Sequence, residues 1–301
     1  IKKKVMINTD LHIHSQHSSD GEFSVGQIID RCTDRNISTF SITDHNSVKG
    51  IDEAVCHAQQ SGYDFIPGIE IDCNYKGINL HVLGYNINWK SEDFIKLETD
   101  ISIKVMDSFA GMIDNLRQLG FIIDADAVFA KSDGKLPTGE LIAEVMLSDR
   151  KYYSSLLTPY MEGGERSDMP YINFYLDYFA QDKPAFVPIH YMSYKDAVEM
   201  IKDNGGIPVV AHPGLNLKGK ENIAEELLNN GAEGLEVFNN YHTGNQIDYF
   251  AGLVLQQNGI MTCGSDFHGK TKPLINIGQF KFDNRFEDYL NNSILRIKSD
   301  C

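Results

Sequence analysis

Short apolar runs alternate with amphipathic stretches along most of this chain. Between Val5 and about Trp89, the runs VMINTD (from Val5), TFSITD (from Thr39), DFIPGIEID (from Asp64) and INLHVLGY (from Ile78) have the β-rich character of strands. VGQIIDRCTDRN (from Val25) and GIDEAVCHAQQSG (from Gly50) instead read as helices with one buried face. From about Ser91 to Lys183 the strand-like runs disappear. There IKVMDSFAGMIDNLRQLG (from Ile103) keeps i, i+3, i+4 apolar spacing, with Gly120 as its stop. From Pro184 the alternation resumes: KDAVEMIKDNGG as helix, IPVVAHPG as strand, NIAEELLNNG as helix, AEGLEVF as strand, QIDYFAGLVLQQNG as helix and IMTCGSDF as strand.

Strands alternating with helices predict parallel βαβ units, and about seven of them are close to a barrel. The chain then divides into a first barrel segment (1–90), a helical insertion (91–183) and a second barrel segment (184–301). No internal repeat or low-complexity stretch interrupts this order.

At 301 residues the chain can bury a barrel-sized core, and 42% hydrophobic with 23% charged residues is ordinary for a globular protein. The opening IKKKVMINTD puts charge before a short run, but no apolar stretch of secretory or membrane-spanning length follows, so a cytoplasmic protein is expected. Five cysteines (Cys32, Cys56, Cys73, Cys263, Cys301) are odd in number and lack a C-x-x-C pair. That argues against a disulfide framework or a thiolate zinc site and for reduced thiols. A net charge of −15 disfavours a long nucleic-acid duplex. It leaves room for a small anionic substrate, because divalent cations would invert the charge at a site.

Candidate chemistry sits where apolar runs end. His12 and His14, at i and i+2, project to one side of a strand and can share a metal. Asp20, before Gly21, fits a turn carboxylate as well as a ligand. His45 ends the second strand, and Glu70 interrupts the apolar FIPGIEI, where an unpaired charge would be costly to bury. Such a Glu can bridge two metal ions. His81 and His212 lie among apolar residues and fit a hydrogen-bonded core histidine as well as a ligand. Asp266 and His268 repeat the i, i+2 spacing. Nine ligand-type residues at strand ends converge at one mouth of an α/β fold, which points to a multi-metal site. No P-loop, dinucleotide-binding turn or nucleophile elbow competes with it.

With D-L-H-x-H, S-D-G, I-T-D-H-N, P-G-I-E-I, A-H-P-G and G-S-D-F-H in this order, the chain resembles the polymerase-and-histidinol-phosphatase (PHP) family, most closely its TrpH-like branch of small metal-dependent phosphoesterases. The resemblance implies a distorted (β/α)7 barrel, TIM-like in form, with a trinuclear site at its C-terminal face. It implies that His12, His14, Glu70 and Asp266 hold one metal, that Glu70, His81 and His212 hold a second, and that Asp20, His45 and His268 hold a third. Two to three divalent ions are expected, with zinc, manganese and iron all suited to the donor set. Glu70, Asp266 and His212 are the expected catalytic centre.

The chain departs from the branch in having LPTGELIAEVML where the branch has an arginine-rich T-R-x-H-F-A-R stretch, and HPGLN where it has H-P-G-R-Y. Lys183, in DKPAFVP, matches the branch's G-K-x-x-Y-V-P stretch and is the candidate grip on a substrate phosphate. His190 fits substrate binding, protonation of a leaving oxygen or a plain loop position. His17, His57 and His242 match no motif and are expected at the surface.

The expected reaction is attack on phosphorus by a hydroxide bridging two metals, hydrolysing a phosphate ester of a small, nucleotide-like substrate. The alternatives are a 5′-to-3′ exonuclease on short RNA, an amidohydrolase-like activity on a C–N or C–O bond, and a non-catalytic metal-stabilised module. The full ligand set argues against the last. The insertion is expected to act as a lid, with Glu140, Glu144, Asp149, Glu162 and Glu165 exposed on it, and no membrane partner is expected.

Overall fold

The computed structural model describes residues 8–299. Nine strands are β1 (Thr9–Ile13), β2 (Thr39–Ile42), β3 (Asp64–Phe65), β4 (Gly68–Tyr75), β5 (Ile78–Tyr85), β6 (Met192–Ser193), β7 (Ile207–Val210), β8 (Gly234–Phe238) and β9 (Ile260–Cys263). The helices are α1 (Val25–Asp34), α2 (Ile51–Ser61), α3 (Glu92–Gln118), α4 (Ala125–Ser132), α5 (Gly139–Ser148), α6 (Pro170–Tyr178), α7 (Tyr194–Asp203), α8 (Pro213–Asn216), α9 (Ile223–Asn229), α10 (Gly244–Gln256) and α11 (Glu287–Ser299). Of the run expected from Val5, the part before residue 8 lies outside the described residues, as does Cys301. Cys32, Cys56, Cys73 and Cys263 are free thiols.

The protein is an α/β fold. Its ladders form a parallel sheet, β1-β2-β3, and a mixed sheet, β6-β4-β5-β7-β8-β9. Single bridges join the two, Ile13 with Phe267 and His45 with Glu70. An all-parallel arrangement was expected from the alternating pattern, and the structure corrects it. β5 runs antiparallel to both β4 and β7. The reason is local: Lys76 and Gly77 both have positive φ (51° and 81°), which makes the two-residue turn that closes a tight hairpin where a parallel neighbour was expected. The single run read from Asp64 is also two strands. Pro67 separates β3, which pairs with β2, from β4, which pairs with β5.

Three apolar clusters hold the fold. One packs β1 and the mixed sheet against the surrounding helices and includes Leu11, Ile69, Val82, Val209 and Phe250. A second packs α1 and α2 onto the small sheet around Ile13, Ile28 and Phe40. The third lies wholly within residues 109–187, around Leu116, Ile142 and Phe174. α3 serves two of them, giving Phe94, Leu97 and Ile101 to the first and Phe109, Met112, Ile113 and Leu116 to the third. Among the described residues no helix is long and apolar enough to cross a membrane.

Candidate metal centre

β1 alternates Leu11 and Ile13, which join apolar clusters, with Asp10, His12 and then His14 on the other face. The side chains of His12 and His14 turn toward residues just past β2, on β4 and past β9. His12 Nε2 and His14 Nε2 lie 3.1 Å apart. Each is 3.2 Å from Glu70 Oε2, and they are 3.4 and 3.3 Å from Asp266 Oδ1. On the other oxygen of Glu70, His81 Nδ1 stands at 3.0 Å and His212 Nε2 at 3.1 Å. His268 Nε2 is 3.1 Å from Asp20 Oδ2, and the rings of His14 and His268 stack at 3.8 Å between centroids.

All nine residues expected at the mouth are therefore brought together. Three groups have donor atoms close enough for one ion each: His12, His14, Glu70 and Asp266; His14, Asp20, His45 and His268; and His45, Glu70 and His81. His14 and His45 thus each reach a neighbouring set in addition to the one first expected.

A divalent cation fits this geometry. Ligand bonds of about 2.0–2.1 Å around a tetrahedral ion put donors about 3.3 Å apart, close to the 3.1–3.4 Å separations around His12 and His14. Glu70 Oε2 and His268 Nε2 are buried without a hydrogen-bond partner, as are His45 Nδ1 and Asp72 Oδ1. Converging lone pairs with no donor between them are what a cation would satisfy.

The surrounding residues fix which nitrogen faces inward. Glu236 Oε1 takes His12 Nδ1 at 3.0 Å, Asn216 Oδ1 takes His212 Nδ1 at 2.6 Å, and the Asp266 carbonyl takes His268 Nδ1 at 2.9 Å. Each Nδ1 then carries the proton, and each Nε2 keeps its lone pair for the centre. Glu236 Oε2 also accepts the His212 amide at 2.7 Å. Asp10 accepts from the amides of His12, Ser265 and Gly278, and Asp44 accepts from the Ser15 amide and hydroxyl. His212 (φ 23°) and Asp266 (φ 59°) hold the left-handed conformation that side chains usually avoid.

Burial works against every charge here, and the neighbours decide the outcome. It would raise Glu70, yet His12, His45 and His81 hold that carboxyl well below its usual range. Asp266 is likewise held down, chiefly by Lys272, against burial. Burial would lower His45, but Glu70 and Asp72 raise it to about 10, whereas burial prevails at His268 and takes it to about 4. Burial and then the Asp20 charge push Glu140 up to about 7.

Above the centre opens a cavity of about 650 Å³, walled on one side by the strand-end loops and on the other by residues of 101–191. Lys183 and His190 do not line it. Both are exposed, Lys183 in a turn that its amide closes onto the Ala180 carbonyl and His190 on the returning segment. The lysines that do line it are Lys49, Lys135 and Lys272. Three further expectations are corrected. His242 is buried, its Nε2 accepting the Gly214 amide and its Nδ1 donating to the Val237 carbonyl. His17 is half-buried at the cavity wall, while His57 is exposed. Glu140 and Glu144 are buried against neighbouring elements, whereas Asp149, Glu162 and Glu165 are exposed.

Glu236 and Lys272 were missed by reading the sequence. Glu236 carried the same signal as Glu70, a charge within the apolar run GLEVF. Lys272 carried none, being one of two lysines in a polar loop.

Strands and the loops that follow them, delivering imidazoles and carboxylates to the floor of one cavity, define a metal-dependent hydrolase on an α/β scaffold. The chain belongs to the PHP family, whose PHP domain matches residues 10–238. It is 28% identical over 270 residues to a 3′,5′-nucleoside bisphosphate phosphatase of Chromobacterium violaceum, covering 87% of this chain and 88% of that one. It is 26% identical over 276 residues to the 5′-3′ exoribonuclease Rnm of Escherichia coli K12, covering 90% and 88%. Its fold matches a structure described as an amidohydrolase from Chromobacterium violaceum, with a TM-score of 0.77, 24% identity and 95% and 96% of the chains covered.

Proposed function

We propose that the chain hydrolyses phosphate esters of small, nucleotide-like molecules, using two to three divalent ions of zinc, manganese or iron. His12, His14, Glu70 and Asp266 would hold one ion, Glu70, His81 and His212 a second, and Asp20, His45 and His268 a third. The observation that carries this reading is Glu70: a fully buried carboxylate whose two oxygens each face two histidine nitrogens at 3.0–3.2 Å. Ions bound there would lower the pKa of an attacking water and neutralise charge gathering on the phosphoryl oxygens.

The chain's own residues do the rest. Glu236, Asn216 and the Asp266 carbonyl hold three imidazoles in the tautomer that ligation needs. Lys272 and Lys135 offer cations to the phosphate, and the helical roof excludes bulk water. We read the two sheets and the bridges between them as one distorted (β/α)7 barrel, split at 1–90 and 184–301 by a helical insertion at 91–183 that covers the mouth. The likeness to Rnm favours a second reading, stepwise cleavage of short RNA from the 5′ end.

A panel of phosphorylated metabolites and short oligonucleotides, incubated with the metal-reconstituted chain, tests both. Release of inorganic phosphate from small esters, lost with chelator and restored by added metal, is the expected result. A chain loaded with two or more ions that releases phosphate from none of them refutes the first reading, and release of mononucleotides from RNA alone establishes the second.

A further inference from the structure

We infer that this site admits an ester carrying one phosphate and discriminates against a second, with Glu140 as the discriminating residue. The inference rests on the phosphoesterase reading above and names the substrate class for it. Among the described residues, Lys49, Lys135 and Lys272 are the basic side chains lining the cavity, and no arginine lines it. Lys49 is already engaged at the rim, 2.8 Å from Glu98. Lys135 donates to the Gly21 carbonyl at 2.7 Å, beside Asp20, and Lys272, 7% exposed, donates to Asp266 Oδ2 at 2.5 Å. Both remaining cations therefore stand next to the carboxylate and imidazole cluster, where the phosphate to be cleaved must lie.

The helical wall is of opposite character. It is built of apolar and aromatic side chains such as Met112, Ile172, Tyr175 and Phe179. Into it the start of α5 places Glu140, 8% exposed, beside the Thr138 side chain that caps the helix and within electrostatic reach of Asp20 and Lys272. Among the described residues no basic nitrogen lies within 4.0 Å of the Glu140 carboxylate, whereas Glu144, one turn on, is matched by Lys131 at 3.2 Å and Lys270 at 2.7 Å. A second phosphate confined within about 650 Å³ would meet the Glu140 carboxyl and an apolar wall, while Lys49, Lys135 and Lys272 are already held by Glu98, the Gly21 carbonyl and Asp266. A hydroxyl or ring N–H in the same place would find an acceptor.

The test is competition binding to the metal-loaded full chain. Its probes are two non-hydrolysable phosphonates, the analogue of adenosine 5′-monophosphate and that of adenosine 3′,5′-bisphosphate. The monophosphonate is expected to bind at least tenfold more tightly, and Glu140→Gln, which keeps the side chain's shape, is expected to narrow the ratio below about threefold by strengthening the bisphosphonate. Equal or tighter binding of the bisphosphonate to the unaltered chain, an unchanged ratio in Glu140→Gln, or binding of neither probe would overturn the inference. Turnover of adenosine 5′-monophosphate, measured alongside, separates the two readings. A chain that binds with the expected ratio but hydrolyses nothing refutes the phosphoesterase assignment and leaves the discrimination standing.

Discussion

Glu70 and Glu236 are carboxylates placed inside apolar strands, where burial without partners would cost several kcal/mol each. They are satisfied in different ways. Glu236 is matched by a histidine nitrogen and a backbone amide, whereas Glu70 Oε2 has imidazole nitrogens around it and no hydrogen-bond donor. Replacing Glu70 by Gln is therefore expected to lower bound metal by at least one ion per chain and turnover by a hundredfold or more, read by elemental analysis and steady-state kinetics. Normal metal content with normal turnover would refute the bridging role. Lys183→Ala, by contrast, is expected to leave KM unchanged, since that side chain is exposed and away from the cavity. His242 supplies a pH dependence. Burial lowers its pKa, against the Val237 carbonyl, so the unfolded chain takes up the proton first as pH falls below about 6.5. Its contribution to stability is complete above that pH and is lost on acidification. His242→Gln should reduce the acid slope of the unfolding free energy by up to about 1.4 kcal/mol per pH unit, measured by urea titrations from pH 7.5 to 5. Identical slopes would mean that the proton enters the native state. The nine ligand-type residues were legible together because ionisable side chains that end or interrupt six separate apolar runs are costly to bury without partners. His242 was not, since its partners are a carbonyl and an amide supplied by distant segments.

Strand and helix positions were legible from periodicity, because each element buries one face or two against a continuous core. Strand direction was not. A turn as short as Lys76-Gly77 reverses the chain without changing the apolar pattern on either side, so β4 and β5 read as separate units. The same limit hid the division at Pro67, where the chain leaves one sheet for the other. Two glycines show how the ladder and the centre depend on these details. Gly77 has φ 81° with open space around its Cα, so Gly77→Ala should cost about 1–2 kcal/mol of backbone strain and leave metal content unchanged. At Gly264 a Cβ would come within 2.2 Å of His12 Cβ and 2.5 Å of Glu236 Oε1. Gly264→Ala should therefore destabilise the fold by about 1–3 kcal/mol through overpacking and also reduce bound metal, because His12 must move. Thermal unfolding with metal analysis of both variants distinguishes them. Equal metal loss in the two would sink the claim that Gly264 sets the His12 position.

At the scale of the whole molecule, α3 ties the cavity's roof to its floor. Its 27 residues span about 40 Å at 1.5 Å per residue, with one end packed in the main apolar cluster and the other in the helical one. A roof anchored in this way leaves a cavity of about 650 Å³, which suits a mononucleotide-sized ligand and gives a longer chain little room. Electrostatics act in the same direction. The chain carries a net charge of −15, and the exposed Asp149, Glu162 and Glu165 add negative charge on the helical segment. A polyanion approaching the mouth is repelled over roughly a Debye length, about 10 Å at 0.1 M salt and longer as salt is lowered. A single phosphate is repelled less and is drawn toward Lys135 and Lys272 beside the centre. Mononucleotides are therefore expected to be cleaved with at least tenfold higher kcat/KM than RNA of ten or more nucleotides, and the difference should widen as ionic strength falls. Parallel assays of adenosine 5′-monophosphate and a 5′-phosphorylated RNA decamer at 20 and 200 mM salt would measure it. A preference for the decamer that strengthens at low salt would mean that a basic track guides RNA to the centre, and the exoribonuclease reading would then replace the first.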